Sequence, residues 1–348
     1  MYVIKMKGII LHGGHGTRLR PLTHTGPKQL LPIANKPMSQ YCIESIKGAG
    51  ITEIAIIIGG LGANKVRDYY GNGENFGVNL TYIEQDEPRG IAHAIRLCKE
   101  FINNEKFLVF LGDNIIQRPI ADFIDNFTKS GYDATVLLCE VDNPSRFGIA
   151  DIENKKIAKI TEKPKKPTSN LAVTGIYLLT PLIFEIIDNL KPSWRNELEI
   201  TDALDNLLKQ NDNIGYEIIT DYWKDTGTPE DILNANRQVL EHICTRPSTV
   251  IIDESSKDWI GLKGHCIIGK NCKIDKSATI GPHVSIGDNT IISSDVVIEN
   301  SIIMSGCKID GGLNIKDSII SANCHLHGNN KDKTKKIFLL GEGTKISL

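Results

Sequence analysis

Gly13, Gly14 and Gly16 follow directly on the apolar run "IKMKGIIL" in the segment "LHGGHGTRLRPLTHTGPKQLLPI". Glycine has no side chain to hold a ligand away, so backbone N–H groups in such a turn can come close to a phosphate chain. Arg18 closes the turn and Lys28 follows ten residues later. Two cations flanking exposed amides suit a triphosphate, whose charge has to be offset while phosphorus is attacked. Read alone, the same two residues are equally well solvated surface charges. "GGHGTR" is neither G-x-x-x-x-G-K-[ST] nor G-x-G-x-x-G, so the common P-loop and dinucleotide fingerprints are both absent. Two carboxylates also stand at suggestive places: Asp113 ends the apolar run "FLVFLGD", and Asp225 lies in "WKDTG". Asp113 by itself reads equally as a helix N-cap.

These residues need a scaffold, and the chain supplies two kinds of periodicity. At 348 residues it is about twice the usual domain size, so two domains are expected. From Lys7 to about Leu240, short apolar runs alternate with longer amphipathic ones, as in a sheet interleaved with helices. "KGIIL", "EIAIII", "NLTYIEQ", "KFLVFLGD" and "DATVLLCEV" read as strands; "MSQYCIESIKGAG", "ANKVRDYYG", "GIAHAIRLCKEF" and "IADFIDNFTKSG" read as helices, several closing at a glycine. The expectation is an α/β domain with a mainly parallel sheet, whose ligands collect at the carboxyl ends of the strands.

After Arg246-Pro247 the rhythm changes. Leu262, Ile268, Ile274, Ile280, Ile286, Ile292 and Ile298 recur every six residues, and after one five-residue step Ile303, Ile309 and Ile315 resume the spacing. Six residues per side and three sides per coil describe a triangular β-solenoid, here of about three coils. Cys266 and Cys272 are one repeat apart and are expected to stack on one face as small core filler. The organisation is thus an α/β domain over residues 6–243, a linker over 244–258, and a β-helix over 259–348 with a C-terminal cap.

Composition excludes several classes. Lys and Arg number 40 against 42 Asp and Glu, a net charge of -2, which gives no broad attraction to nucleic acid or to an acidic membrane. The first ten residues carry two lysines without a long apolar h-region, and no stretch approaches the roughly 20 apolar residues of a membrane span, so a soluble, cytoplasmic protein is expected. Cys42, Cys98, Cys139, Cys244, Cys266, Cys272, Cys307 and Cys324 form no Cys-x-x-Cys pair and read as buried thiols. His325 and His327 make a lone His-x-His without further ligands at matching spacing.

"LHGGHGTRLRPLTHTGPKQLLPIANKPM" resembles the signature of the sugar-1-phosphate nucleotidylyltransferases, and "KQLLPIANKPM" is most similar to the glucose-1-phosphate thymidylyltransferase branch. The likeness continues through "YIEQDEPRGIAHAI", "FLGDNII", "DNPSRFGIADI", "EKPKKPTSNLAVTGIYLLTP", "RNELEITDAL" and "WKDTGTPEDILNAN", covering residues 6 to 240; residues 1–5 lie outside it, which fits translation starting at Met6. Longer members carry a hexapeptide-repeat domain. The resemblance implies a Rossmann-like nucleotidyltransferase domain followed by a left-handed parallel β-helix. It implies attack by a phosphate oxygen of glucose 1-phosphate on the α-phosphorus of dTTP, yielding dTDP-glucose and pyrophosphate for deoxysugar synthesis. Such chemistry depends on positioning and charge neutralisation.

By the same resemblance Asp113 and Asp225 hold Mg²⁺, Arg18 and Lys28 meet the triphosphate, and Lys163 and Arg195 grip the sugar phosphate. Gly148, Glu162, Val173, Thr174 and Gly175 form the sugar-facing wall, and Gln85 and Gly90 read the base. Gly13, Gly14, Gly16, Thr17, Gln29, Pro88, Asn114 and Trp223 complete the substrate-binding set. Relatives generally show Ala where this chain has His12, and many short forms show Tyr where it has Phe147. His12 is expected to fold under the loop with its ring hydrogen-bonded, and no role falls to His15. The solenoid is expected to make a homo-oligomer.

Two rival readings are distinct. A UTP-dependent sugar or amino-sugar uridylyltransferase whose β-helix also acetylates would need a catalytic histidine, for which His265, His283, His325 and His327 are the candidates. A non-catalytic regulatory subunit would have lost a metal carboxylate or a phosphate lysine, and Asp113, Asp225, Lys28 and Lys163 are all present.

Overall fold

The structure, a computed structural model, describes residues 6–14, 16–211, 213–244, 250–256, 263–328 and 334–348. His15, Leu262 and part of the expected linker therefore lie outside the described residues. The chain divides into two compact units: residues 1–14 with 39–225, and residues 15–38 with 226–348.

The first unit is built on a nine-stranded sheet. Its strands are β1 (Met6–Leu11), β2 (Glu53–Ile58), β3 (Asn79–Glu84), β4 (Lys106–Leu111), β6 (Ala134–Glu140), β7 (Gly148–Glu153), β8 (Lys156–Glu162), β9 (Leu171–Leu179) and β10 (Ile214–Ile218), while β5 (Asn114–Ile116) and β11 (Trp223–Asp225) form a separate ribbon. The path runs β8-β7-β9-β4-β1-β2-β3, and β6 carries β10 beside β9. Strands β3, β2, β1 and β4 pair parallel. β9 joins β4 antiparallel. Helices α1 (Met38–Gly48), α2 (Ala63–Tyr70) and α3 (Ile91–Leu97) connect the parallel strands. Central strands buried on both faces read as unbroken apolar runs, and Ile9, Ile10, Ile56, Ile57, Leu108 and Val109 are all inaccessible to solvent. The helix expected over "GIAHAIRLCKEF" breaks at Cys98 and resumes over Lys99–Ile102.

The second unit contains α7 (Pro229–Ile243) and a three-faced solenoid; α4 (Ala121–Ser130), α5 (Leu182–Asp188) and α6 (Ile200–Asn211) belong to the first. Three sheets of six, five and four strands, every pair parallel, form the faces. This is a parallel β-helix, consistent with the left-handed form. Ile268, Ile280, Ile286, Ile292, Ile298, Ile303, Ile309 and Ile315 point into its core. One corner repeats Asn271, Asn289, Gly306, Asn323 and Gly343, all at positive φ, where Gly and Asn cost least.

Two expectations need correcting. The solenoid is longer than three coils, because past Ile315 the coils continue with Ile320, Leu326 and Leu340, at spacings that keep the hexad only between Ile320 and Leu326. Cys266 and Cys272 do not stack on one face: six residues is one side of the triangle, so Cys266 aligns with Val284 one coil on, and Cys272 precedes a strand of the next face. All eight cysteines are free thiols and all but Cys139 are buried. Among the described residues no helix is long and apolar enough to cross a membrane.

Candidate active site

Four parallel strands end side by side, and the sequence places polar residues just past three of the ends and glycine past the fourth. The N–H of His12 donates to the Ile57 carbonyl, that of Gln85 to Ile58, and that of Gly112 to Leu11. His12-Gly13, Gln85 and Asp113 therefore lie along one carboxyl edge, where open α/β sheets gather ligands. Gly59 makes this possible at β2, since a Cβ there would lie 2.4 Å from the Gln85 carbonyl oxygen.

The ribbon brings Asp225 beside the residue that follows Asp113. β11 pairs antiparallel with β5, setting Asp225 opposite Asn114, the residue after Asp113. Asn114 is buried, and its Oδ1 accepts from Trp223 Nε1 at 2.8 Å and from the Gly175 N–H at 3.3 Å. With its oxygen so fixed, Nδ2 is turned to donate to Asp113 Oδ1 at 3.0 Å. Gly175 permits the approach, because a Cβ there would stand 2.7 Å from Leu111 Cγ and 2.8 Å from Asn114 Nδ2. Carboxylates are hard oxygen donors that suit Mg²⁺, an ion that keeps several waters and takes phosphate oxygens rather than a full protein cage. Among the described residues no group of three or more His, Cys, Asp and Glu forms a metal cage.

Beneath Asp113 lies a desolvated layer. Cys42 Sγ is 3.7 Å from the Leu111 and Asn114 carbonyl oxygens, and burial, then the Asp113 charge, push its thiol pKa up. His12 is only 2 % exposed and stands edge-on to Tyr70 at 6.3 Å. Burial lowers its pKa to about 3 against the opposing pull of Asp113. The expected hydrogen bonds to this ring are not there: neither nitrogen has a partner among the described residues.

At the β3 end, Gln85 Nε2 lies 2.9 Å from His93 Nδ1 and donates to the Gly90 carbonyl at 3.4 Å. Gly90 holds φ +102, and a Cβ would fall 2.4 Å from the Leu198 carbonyl oxygen, so no other residue fits. Leu198 also donates its N–H to Arg89 and accepts from Ala92, which ties this turn to the segment carrying Arg195. Pro88 is exposed between Gln85 and Gly90.

The remaining wall is a charged network. Gly148 pairs with Glu162 across β7 and β8. Glu162 Oε2 accepts from Thr201 Oγ1 at 3.0 Å, while Oε1 faces Lys163 Nζ at 3.3 Å and Arg195 Nη1 at 3.4 Å. Arg195 also reaches Glu197 at 2.9 Å and Glu199 at 3.3 Å. Burial and then Glu162 raise the Glu199 pKa. Val173 and Thr174 are buried on β9, and Phe147 stacks edge-on to Trp223 at 5.8 Å.

The second unit carries Gly16, Thr17, Arg18, Lys28 and Gln29. Gly16 caps a one-turn helix over Thr17–Leu19 at φ +56, and a Cβ would lie 2.9 Å from Thr23 Cγ2. Arg18 and Thr17 are exposed; Gln29 is buried in the turn Lys28–Leu30. The segment is anchored downstream: Asn236 of α7 accepts through Oδ1 from the Ala34 N–H at 2.8 Å and from Ser285 Oγ at 2.7 Å, and Asn35 Nδ2 donates to the Ile286 carbonyl. Asn236→Ala leaves two buried donors without an acceptor, and the expected loss is about 2 kcal/mol of stability, read from the denaturant midpoint.

A family model described as Nucleotidyl transferase matches residues 7–242, and one described as GMPPB C-terminal domain matches residues 262–347. The chain belongs to the nucleotidyl transferase family. Agl11 of Haloferax volcanii, a low-salt glycan biosynthesis nucleotidyltransferase, is 45 % identical over 254 residues, covering 73 % of this chain and 71 % of that one. The glucose-1-phosphate thymidylyltransferase of Streptomyces antibioticus is 43 % identical over 240 residues, covering 68 % and 67 %. Among solved structures, one from Bacillus anthracis assigned as a glucose-1-phosphate thymidylyltransferase, in complex with sucrose, has TM-score 0.64 at 45 % identity and covers 67 % of this chain and 94 % of that one. A UDP-glucose pyrophosphorylase complexed with UDP-glucose has TM-score 0.62 at 31 % identity, covering 68 % and 99 %.

In this nucleotidyltransferase one unit holds Gly13, Gly14, Gln85, Pro88, Gly90, Asp113, Asn114, Gly148, Glu162, Lys163, Val173, Thr174, Gly175, Arg195, Trp223 and Asp225. Three further residues of this unit carry no motif that marks them in the sequence. They are Glu197 and Glu199, which lie against Arg195, and His93, which is buried in α3 beside Gln85. The solenoid histidines weighed for acyl transfer are engaged with carboxylates in three cases: His283 with Glu241 at 2.9 Å, and His325 and His327 with Asp310 at 2.7 and 3.4 Å.

Proposed function

We propose that the enzyme transfers a thymidylyl group from dTTP to glucose 1-phosphate, giving dTDP-glucose and pyrophosphate. The observation that carries this reading is the pairing of Asp225 with the residue beside Asp113 at the carboxyl edge, in the same unit as Glu162, Lys163 and Arg195. Mg²⁺, when bound, offsets charge on the α-phosphate. Asp113 and Asp225 would hold it, and Asn114 keeps the Asp113 carboxylate oriented. Lys163 and Arg195 bind the sugar phosphate and lower the repulsion between two anions. Glu162, beside these cations, accepts hydrogen bonds from the sugar hydroxyls, while Gly148, Val173, Thr174 and Gly175 shape the wall. Arg18 and Lys28, with Gly16, Thr17 and Gln29, take the triphosphate and stabilise the departing pyrophosphate. Gln85 and Gly90 read the base. The names of the Streptomyces and Bacillus relatives support thymidine. The solved UDP-glucose pyrophosphorylase supports a second reading, uridylyl transfer from UTP, since the two bases differ by one methyl group worth about 1–3 kcal/mol.

The β-helix serves assembly into a homo-oligomer. Ile251, Ile291 and Ile337 are exposed on it, and a mass of one chain in solution at micromolar concentration would sink that assignment.

Mass spectrometry of the product tests the reaction: dTTP with glucose 1-phosphate and Mg²⁺ should yield dTDP-glucose, and a nucleotide sugar from UTP alone would select the second reading. Arg195→Met removes two charge-assisted hydrogen bonds of about 1.5 kcal/mol each, so kcat/KM for glucose 1-phosphate should fall about 100-fold while KM for dTTP stays.

A further inference from the structure

We propose that Cys307 and Cys324 form a peroxide-sensitive staple in the β-helix: oxidation joins the two thiols across consecutive coils as a disulfide and locks the C-terminal end of the solenoid. Both residues lie in the second unit, in a part of the chain that takes no role in the proposed transfer.

One corner of the solenoid carries a column of small donor side chains. Lys273, Ile291, Lys308, His325 and Lys345 are stacked partners on successive coils, so the residues just before them, Cys272, Thr290, Cys307, Cys324 and Thr344, stack as well. The column bonds each coil to the next. Ser256 Oγ donates to the Gly269 carbonyl at 2.9 Å, Cys272 Sγ to Gly287 at 3.3 Å and Thr290 Oγ1 to Met304 at 3.3 Å. Cys307 Sγ donates to Ser321, and Cys324 Sγ to Gly341, both at 3.1 Å. Thiol and hydroxyl therefore serve alike in this column as hydrogen-bond donors. Cys272 lies between Ser256 and Thr290, so the step from Cys307 to Cys324 is where thiol follows thiol.

Neighbouring parallel strands lie about 4.8 Å apart, inside the roughly 4.4–6.8 Å that a disulfide spans between Cα atoms. The two thiols also hydrogen-bond to each other. That bond lowers the Cys324 pKa to about 7 against burial, and the Thr344 N–H and hydroxyl and the Gly343 N–H add to it, so Cys324 supplies the thiolate and Cys307 the resolving thiol. Both residues are sealed in the folded protein, at 1 % exposure. Access comes from the end of the solenoid: the coil that follows Cys324 and accepts its bond at Gly341 has Leu339, Leu340 and Ile346 only half-buried, whereas Ile303, Ile309, Ile320 and Leu326 are inaccessible. A coil holding so little buried surface opens before the rest. A peroxide then gives one oxygen to the Cys324 thiolate as its O–O bond breaks, leaving hydroxide or alkoxide. The Cys307 sulfur attacks the resulting sulfenic acid, the S–S bond forms, and water departs. Two thiols and one peroxide thus become one disulfide, one water and a second water or an alcohol.

The test treats the folded full-length protein with hydrogen peroxide, alkylates the remaining thiols and maps the peptides by mass without reduction. The expected result is a peptide pair joined through Cys307 and Cys324 that dithiothreitol separates, and a urea midpoint for the oxidised protein above that of the reduced one. Cys307→Ser and Cys324→Ser keep a donor in the column, so both should fold, give no joined pair and show no rise in midpoint after peroxide. Cys272→Ser should behave as the parent does. A joined pair that forms only in urea-unfolded protein, either cysteine joined to another partner instead, or a midpoint that the bond leaves unchanged would overturn the proposal. Should a serine variant not fold, the peptide map and the midpoint of the parent protein decide.

Discussion

Asp113→Asn and Asp225→Asn each lower kcat for pyrophosphate release by about 10³-fold or more, with the fold retained. A bound divalent ion contributes several kcal/mol of charge stabilisation at the transferring phosphoryl group, and each 1.36 kcal/mol is tenfold in rate, so loss of one of two protein ligands is felt as roughly three powers of ten. Asn keeps the size of Asp and a carbonyl oxygen but not the charge. The ribbon that carries Asp225 is held by backbone pairing of Trp223, Lys224 and Asp225 with Ile116, Ile115 and Asn114, which the substitution does not touch. Asp113→Asn leaves the buried bonds from Trp223 and Gly175 to Asn114 in place. Both variants should therefore melt close to the parent while requiring far more Mg²⁺. Rates within tenfold of the parent in both would remove these carboxylates from the chemistry.

The second large effect is on stability. His12 is neutral when folded and titrates near 3, against 6.5 when exposed, because burial excludes water from the ring. Between those values the unfolded chain binds a proton that the folded one refuses, so stability rises with pH across the window and is lost as pH falls below 6.5. The full window corresponds to about 5 kcal/mol, and about 2 kcal/mol of it is lost by pH 5. Carboxylates titrate in the same range, so the readout is a difference: urea unfolding of the parent and of His12→Ala at pH 7 and pH 5. The parent should lose about 2 kcal/mol more than the variant. Parallel losses would show that His12 is solvated or paired when folded.

The parallel strands were legible because a strand buried on both faces has to be an unbroken apolar run, as in "GIIL", "EIAIII" and "KFLVFL". The hexad was legible for a related reason: each side of the triangle has to send one aliphatic into a narrow core. Past Ile315 the coils vary in length while the stacking continues, and a fixed period no longer finds them. The site was legible where residue type alone restricts the chemistry, as with two carboxylates at strand ends. It was not legible where partners are set by tertiary packing. Nothing in "RNELEI" says that Arg195 is enclosed by Glu162, Glu197 and Glu199, because Glu162 arrives from another strand. Nor does "GIAHAI" say that His93 turns toward Gln85, since the pairing depends on how α3 starts at Gly90. Grouping of residues 15–38 with the solenoid unit is of the same kind, resting on Asn236 holding both Ala34 and Ser285.

Initial-rate pyrophosphate release tests thymidylyl transfer to a sugar phosphate most directly, with Mg²⁺, glucose 1-phosphate and, in parallel, dTTP, UTP, CTP, ATP and GTP. Release should require both the metal and the sugar phosphate, with the highest kcat/KM for dTTP and UTP next. Absence of release with every nucleotide, or release that does not depend on glucose 1-phosphate, would contradict that transfer.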